Sequence, residues 1–379
     1  MTGVSGAAII DSLRRLGLLR AQDTPELTPL SGGVSSDIWR VDLPAYEAHQ
    51  SSGPSAAAAP SGTVTPSAAA APSGTVIPPG PVTPPGPPHP LTVAAKQALP
   101  TLKVAAVWEA PVERSRFEAA WLETATRLVP GLAPALIGYD PTNGVVVMQW
   151  LDPSDHPVWK AQLRDGHADP AVAGALAGGL VRLHAATADD ETVAATFASA
   201  HIFGPIRLEP YLDATARAHP DLASVLADVR ALIEANSRVL VHGDVSPKNV
   251  LVGPRGPVLV DAECATVSDP AFDLAFCLNH LLLKCLWNPS ARDGFLSCFD
   301  AFANAYLQGV RWEASALLEA RAARILPAFL LARVDGKSPV EYLGQDEKAF
   351  VRTLAREMLL TPPGETLASV KERWHACLG

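Results

Sequence analysis

Cysteine is scarce in this 379-residue chain, and the five that occur stand apart: Cys264, Cys277, Cys285, Cys298 and Cys377 form no Cys-x-x-Cys pair and no zinc-finger spacing. This excludes a disulfide-stapled scaffold and a cysteine-built structural metal site. Their apolar neighbourhoods predict buried, reduced thiols and therefore a cytoplasmic setting. Charge is sparse as well, at 18% of residues, and sums to −9. No basic stripe is visible, so nucleic acid is not an expected partner. The acidic surplus suits ordinary solubility and would equally suit a cationic substrate. No run of eighteen apolar residues occurs, so no membrane-spanning helix is expected. Met1 to Gln22 reads as an amphipathic helix through Ile9, Ile10, Leu13, Leu16 and Leu19. It lacks the basic leader, apolar block and small-residue cleavage site of an export signal.

What is present is a chain long enough for two lobes around a cleft, with 48% hydrophobic residues. One stretch is a different polymer. Pro44 to Pro90 holds a repeated segment, Pro54-Ser-Ala-Ala-Ala-Ala-Pro-Ser-Gly-Thr-Val-Thr65 and then Pro66-Ser-Ala-Ala-Ala-Ala-Pro-Ser-Gly-Thr-Val-Ile77, followed by a Pro/Gly tail. With almost no large apolar side chains it has little to bury against its ordering entropy, so disorder with polyproline II character is expected. It interrupts two strand-like runs, Ile38 to Leu43 and Leu91 to Leu99, as a lengthened hairpin loop that costs only logarithmically in closure entropy.

The chemistry concentrates in Val239-Leu-Val-His-Gly-Asp-Val-Ser-Pro-Lys-Asn-Val-Leu-Val252 and in Val258-Leu-Val-Asp-Ala-Glu263. Two apolar runs each end in polar oxygens, so Asp244, Asn249, Asp261 and Glu263 fall at strand ends or turns and can converge. Phosphoryl transfer needs an acceptor oxygen held in line and metal ions to neutralise charge on the phosphates. Asp244 can accept a hydrogen bond from an attacking hydroxyl and take its proton. Asn249, Asp261 and Glu263 offer the hard oxygens that Mg²⁺ prefers.

The spacing His-Gly-Asp-x-x-x-x-Asn, with Gly243 where protein kinases carry Arg, resembles the aminoglycoside phosphotransferase and choline kinase superfamily. Asp261-Ala262-Glu263, in the place of Asp-Phe-Gly, is similar to the choline kinase and methylthioribose kinase branches. Methylthioribose kinases often lack an amide at the position of Asn249, and here the chain departs from them. The resemblance implies an α+β, bilobal, protein-kinase-like fold. Residues 1–151 would form a small antiparallel-sheet lobe that binds ATP. Residues 152–379 would form a helical lobe with the catalytic loop, the Mg²⁺ site and a pocket for a small-molecule hydroxyl acceptor.

It also implies roles upstream. Ser31, Gly32, Gly33 and Ser35 would form the phosphate loop, since glycines allow close backbone approach and serines add donors. Lys96, mid-strand, would bind phosphate and pair with a helix glutamate, for which Glu118 is favoured over Glu113 and Glu123. Met148 would border the adenine at the interlobe hinge, with the backbones of Gln149 and Leu151 bonding it. Asp273, in Asp269-Pro-Ala-Phe-Asp273-Leu-Ala-Phe, would hold the catalytic-loop backbone from behind. His242 and His184 read as structural.

Lys248 either contacts a transferring phosphate or points to solvent. Three polar groups are candidates for the acceptor wall: Asn279, His280 and Lys284; Arg324, Arg333, Asp335 and Lys337; and Arg207, Glu209 and Tyr211. The function expected is a small-molecule O-kinase. Its alternatives are an aminoglycoside or macrolide resistance kinase and a nucleotide-binding scaffold without catalysis. Helices are expected over Pro170 to Ala186, Thr215 to Ala235, Phe272 to Leu286, Phe295 to Gln308, Trp312 to Ala332, Asp346 to Leu359 and Thr366 to Cys377.

Overall fold

A computed structural model describes residues 4–30, 35–44, 91–101 and 110–378. Ser31, Gly32, Gly33 and the repeat-bearing insertion past Pro44 lie outside the described residues. The chain opens with helix α1 (Val4–Arg15), then strands β1 (Glu26–Leu30), β2 (Ser36–Leu43) and β3 (Leu91–Ala98), helix α2 (Arg114–Leu128), and strands β4 (Leu136–Asp140) and β5 (Val145–Gln149). The five strands form one antiparallel sheet in the order β1-β2-β3-β5-β4.

Strand alternation divides this sheet cleanly. Val41, Leu43, Val93, Ala95, Val145 and Val147 point to one face and are sealed by Ile9 and Leu13 of α1. Ala94 stands opposite Met148 and Lys96 opposite Val146 in the ladder, so these four share the other face. That face looks toward the helical remainder: Val146 and Met148 belong to its core. Leu43 and Leu91 are direct partners in the β2–β3 register, so the insertion leaves and re-enters the sheet at neighbouring positions.

The remainder holds helices α3 (Trp159–Arg164), α4 (Pro170–Thr187), α5 (Glu191–Thr196), α6 (Ala200–Phe203), α7 (Ala214–Ala218) and α8 (Ala223–Glu234), with a π-helical stretch over Gly204–Asp213. After β6 (Val239–Val241), β7 (Val250–Gly253), β8 (Gly256–Leu259) and β9 (Thr266–Ser268) come α9 (Pro270–Trp287), α10 (Arg292–Gly309), α11 (Ser315–Asp335), α12 (Gln345–Leu360) and α13 (Leu367–Cys377). This is the bilobal, kinase-like α+β architecture. The helix expected over Thr215 to Ala235 is broken into α7 and α8, with a 3-10 turn between them at Pro220–Leu222. Pro220 cannot donate to the preceding turn, which ends the helix there.

Helix α9 is the axis of the larger lobe and is buried from Pro270 to Cys285. Its start is dictated locally: Asp269 caps Ala271 N–H at 2.9 Å and Pro270 occupies the first turn, where a missing N–H costs nothing. Arg321 grips the same cap residue at 2.8 Å. No helix of the described residues is long and apolar enough to cross a membrane.

Candidate active site

Strand β6 ends in the turn His242-Gly243-Asp244. Gly243 adopts φ +78°, and a Cβ there would lie 2.9 Å from the Cys264 carbonyl, so the turn requires glycine. The fully buried Asp273 accepts from His242 N–H at 2.7 Å and Gly243 N–H at 2.9 Å, holding the loop from behind. His242 is a buried strut. Its Nε2 bonds the Val260 carbonyl at 3.2 Å, its Nδ1 accepts from Asp244 N–H at 3.2 Å, and it stands edge-on to Trp121. Burial lowers its pKa, in keeping with a neutral ring. His184 is equally internal, 2.5 Å from Tyr306 Oη and 3.4 Å from Asp273.

Asp244 is nearly buried and faces two cations, Arg207 Nη2 at 2.9 Å and Lys248 Nζ at 3.0 Å. Burial alone would raise its pKa, but Lys248 and Arg207 outweigh that and keep the carboxyl below its ordinary range. Asn249 closes the loop by donating to the Asp244 carbonyl at 3.1 Å, which leaves its Oδ1 facing Lys248 Nζ at 3.2 Å. Asp261 approaches from the end of β8, and its Oδ2 is 3.7 Å from the same ammonium. The oxygens of Asp244, Asn249 and Asp261 thus surround one point, which Lys248 Nζ occupies. Asp261 also adopts φ +69°, a left-handed conformation that costs a non-glycine residue on the order of 1 kcal/mol and recurs at functional sites.

Lys96 connects the two lobes. Its Nζ bonds Glu118 at 2.8 Å and Asp261, and lies 3.9 Å from Glu263. Burial would strip its proton, but Asp261, Glu118 and Glu263 overcome this and raise its pKa, so it is firmly charged. Burial lifts Glu118 above the usual carboxylate range even beside that lysine, while Lys96 helps hold Asp261 well below it. The competing glutamates face solvent: Glu113 lies 3.5 Å from Arg116, and Glu123 is exposed.

Among the described residues no three His, Cys, Asp or Glu side chains form a metal cage. The hard-oxygen set that does converge is Asn249 with Asp261, and it already faces ammonium groups, so its chemistry fits a cation. Glu263 has one oxygen taken by Arg114 Nε at 3.0 Å. Arg114 is wholly buried and carries no sequence signal beyond its place in α2. It ties Glu263 to the Leu99 carbonyl at 2.7 Å and the Ser35 carbonyl at 2.5 Å. Arg207 was legible only as a candidate for the acceptor wall; the π-helical stretch instead turns it onto Asp244 and onto the Gly243 carbonyl at 2.5 Å.

On the hinge side, Met148 is buried opposite Ala94, and Leu151 is half-buried. Gln149 N–H is taken by the Ala135 carbonyl at 2.8 Å. The second acceptor-wall group is split. Arg324 bonds the Leu359 carbonyl at 3.1 Å and Asp335 bonds Arg352 at 2.6 Å, both away from the loop. Arg333 stays near it, donating to Tyr211 Oη at 3.0 Å.

Residues 104–316, more than half of the chain, match the profile of the family described as phosphotransferase enzyme family. Among curated proteins the chain is similar to a methylthioribose kinase of Erwinia tasmaniensis, 28% identical over 219 residues, 51% of this chain and 54% of that one. It is also similar to methylthioribose kinase 1 of Oryza sativa, at 23% identity over 51% of each chain. The chain spans about half the length of the curated relatives it matches. Its fold is similar to that of the amicoumacin kinase hAmiN, solved with AMP-PNP, Ca²⁺ and Ami, at TM-score 0.53 and 12% identity over 97% of this chain and 98% of that one. A Plasmodium vivax ethanolamine kinase gives TM-score 0.52 and 11% identity over 93% and 89%. At such identities the structural likeness is one of fold, and the profile match carries the assignment: this chain belongs to the phosphotransferase enzyme family.

Proposed function

We propose that this chain moves the γ-phosphoryl group of ATP to a hydroxyl of a small molecule, with Mg²⁺ as the metal. The observation that carries the reading is the meeting of Lys96 and Glu118 from the sheet lobe with Asp261 from the helical lobe, beside Asp244 and Asn249. Division at Leu151 puts the nucleotide side in residues 1–151 and the acceptor side in residues 152–379. A cytoplasmic location suits the ATP requirement.

Each group has a distinct task. Asp244, ionised and held by Arg207, accepts the proton of the acceptor hydroxyl and orients its oxygen. Lys96, fixed by Glu118, neutralises phosphate charge as it spreads over the equatorial oxygens. Asn249 and Asp261 would hold Mg²⁺, with Glu263 facing it beside Arg114; a bound Mg²⁺ supplies charge neutralisation across the β- and γ-phosphates. Ser31, Gly32, Gly33 and Ser35 would cradle those phosphates, and Met148, Gln149 and Leu151 would line the adenine.

One experiment separates these roles. Mg-ATP should raise the melting temperature of the wild type, and the Asp244→Asn variant should keep that shift while losing transfer of label from γ-³²P-ATP to any acceptor. Asp261→Ala should lose the shift itself. An Asp244→Asn enzyme that still transfers label, or an Asp261→Ala protein with unaltered metal dependence, refutes the assignments. Methylthioribose belongs in the acceptor screen because of the curated relatives.

A further inference from the structure

Helix α9 carries a stripe at helical spacing: Asp273, Phe276, His280, Lys284 and Trp287. Asp273 grips the catalytic loop, so the stripe starts at the site. At ~1.5 Å per residue it reaches His280 after about 10 Å and Lys284 after about 16 Å. Helix α3 packs against both α9 and the Pro247–Asn249 turn, and Val158 bridges Leu251, which brings Lys160 over the same ground. From the far side come Tyr211, one turn beyond the Asp244-gripping Arg207, and Arg333 at the end of α11.

Lys284 is 1% exposed and lies against a stacked ring pair, its Nζ 4.0 Å from the Trp287 centroid and 3.7 Å from that of Tyr342. Among the described residues no carboxylate forms an ion pair with it. Glu341, which influences it, is bonded to Lys160. Arg333 likewise has no carboxylate partner: it bonds Tyr211 Oη and Ser338, and its Nε is buried without a partner, as is Tyr342 Oη. His280 is 7% exposed, and burial first, then Arg333, Lys284, Lys248 and Lys160, oppose its protonation. A buried lysine amine without an ion pair, which a bound anion would protonate, and a guanidinium whose Nε has no partner form a built site for negative charge. The Trp287 and Tyr342 rings stack on each other at 4.4 Å and meet the chain's own lysine, so they leave no open cage for a quaternary ammonium ligand.

Building on the kinase reading above, we infer that the acceptor is an anionic hydroxyl compound, a hydroxy acid or sugar phosphate, whose carboxylate or phosphate is bound by Lys284 and Arg333 while its hydroxyl meets Asp244. Cationic acceptors such as choline and aminoglycosides are disfavoured by the same charges.

The test compares glycerate and gluconate (carboxylates), 3-phosphoglycerate and glucose 6-phosphate (phosphates), and methylthioribose, choline and kanamycin, by calorimetric titration at constant ionic strength. Wild type, Lys284→Met and Arg333→Met are each titrated. At least one acidic compound should bind the wild type, and each substitution should weaken it about tenfold or more, while the thermal shift given by Mg-ATP is kept. Carboxylate and phosphate arms tell the two anions apart. The inference is overturned if no acid binds, if either variant binds the acid as tightly as the wild type, or if neutral or cationic compounds bind in preference. A wild type without the Mg-ATP shift condemns the kinase reading instead.

Discussion

Replacing Lys284 with methionine should make this protein more stable. The ammonium is buried with no carboxylate, and burial pushes its pKa down to about 6. In the unfolded chain it titrates near 10.4. Between these values the unfolded chain binds a proton that the folded one does not, so stability rises with pH across the window and is lost as pH falls toward 6. At about 1.4 kcal/mol per pH unit, holding the lysine at pH 7 costs roughly 4–5 kcal/mol. Methionine matches the length, and its thioether packs on the same rings, so a net gain of roughly 2 kcal/mol or more is expected. Urea unfolding of both proteins at pH 7 and pH 9 measures it, and the gap should narrow by about 2–3 kcal/mol at the higher pH. A methionine variant less stable than wild type at pH 7, or a gap that ignores pH, would refute the reasoning. A gain would mean that stability is given up to keep a charge at this place.

Three further outcomes follow from the geometry. Gly243→Ala must place a Cβ against the Cys264 carbonyl at positive φ, so denaturant midpoints should show a loss of about 1–3 kcal/mol, and transfer should slow as the loop shifts. Arg207→Met removes one of the two cations that oppose burial at Asp244 and leaves only Lys248; its pKa then rises, and the acid limb of the pH–rate profile should move to higher pH, whereas an unmoved limb would remove Arg207 from the site. Replacing residues 45–90 with an Asn-Gly turn should leave melting and turnover nearly unchanged, because Leu43 and Leu91 are register partners; a collapse of either would show that the insertion acts on the fold.

The catalytic loop was legible because its residues are contiguous and their spacing is rigid. His242 to Asn249 is one turn and one 3-10 segment, and the strands on either side are short Val/Leu runs. The Lys96–Glu118 pair was legible because strand and helix patterns place each residue on one face. Strands β1 and β4 were not: Glu26–Leu30 is largely exposed, Leu136–Asp140 carries a bulge, and neither alternates. Arg114 and Arg207 escaped for a different reason. Arg114 acts through partners as far as 149 residues away and Arg207 through Gly243, 36 residues away, and its neighbour Asp244, and nothing local marks an arginine as buried. Long-range charge pairing is a property of the packed chain, and hydrophobic periodicity carries no trace of it.

The charges then separate into two regions that differ in kind. Around the transfer point, Glu118, Asp244, Asp261 and Glu263 face Lys96, Arg114, Arg207 and Lys248, four carboxylates to four cations. Three of those cations are buried, but the Lys248 side chain is half exposed at 52%, so it alone can leave cheaply when a metal ion arrives. Farther along α9 the balance fails, since among the described residues neither Lys284 nor Arg333 of α11 forms an ion pair with a carboxylate. Matched charge at the nucleotide and unmatched positive charge at the acceptor are what a site needs if one ligand brings its own cation and the other arrives as a bare anion.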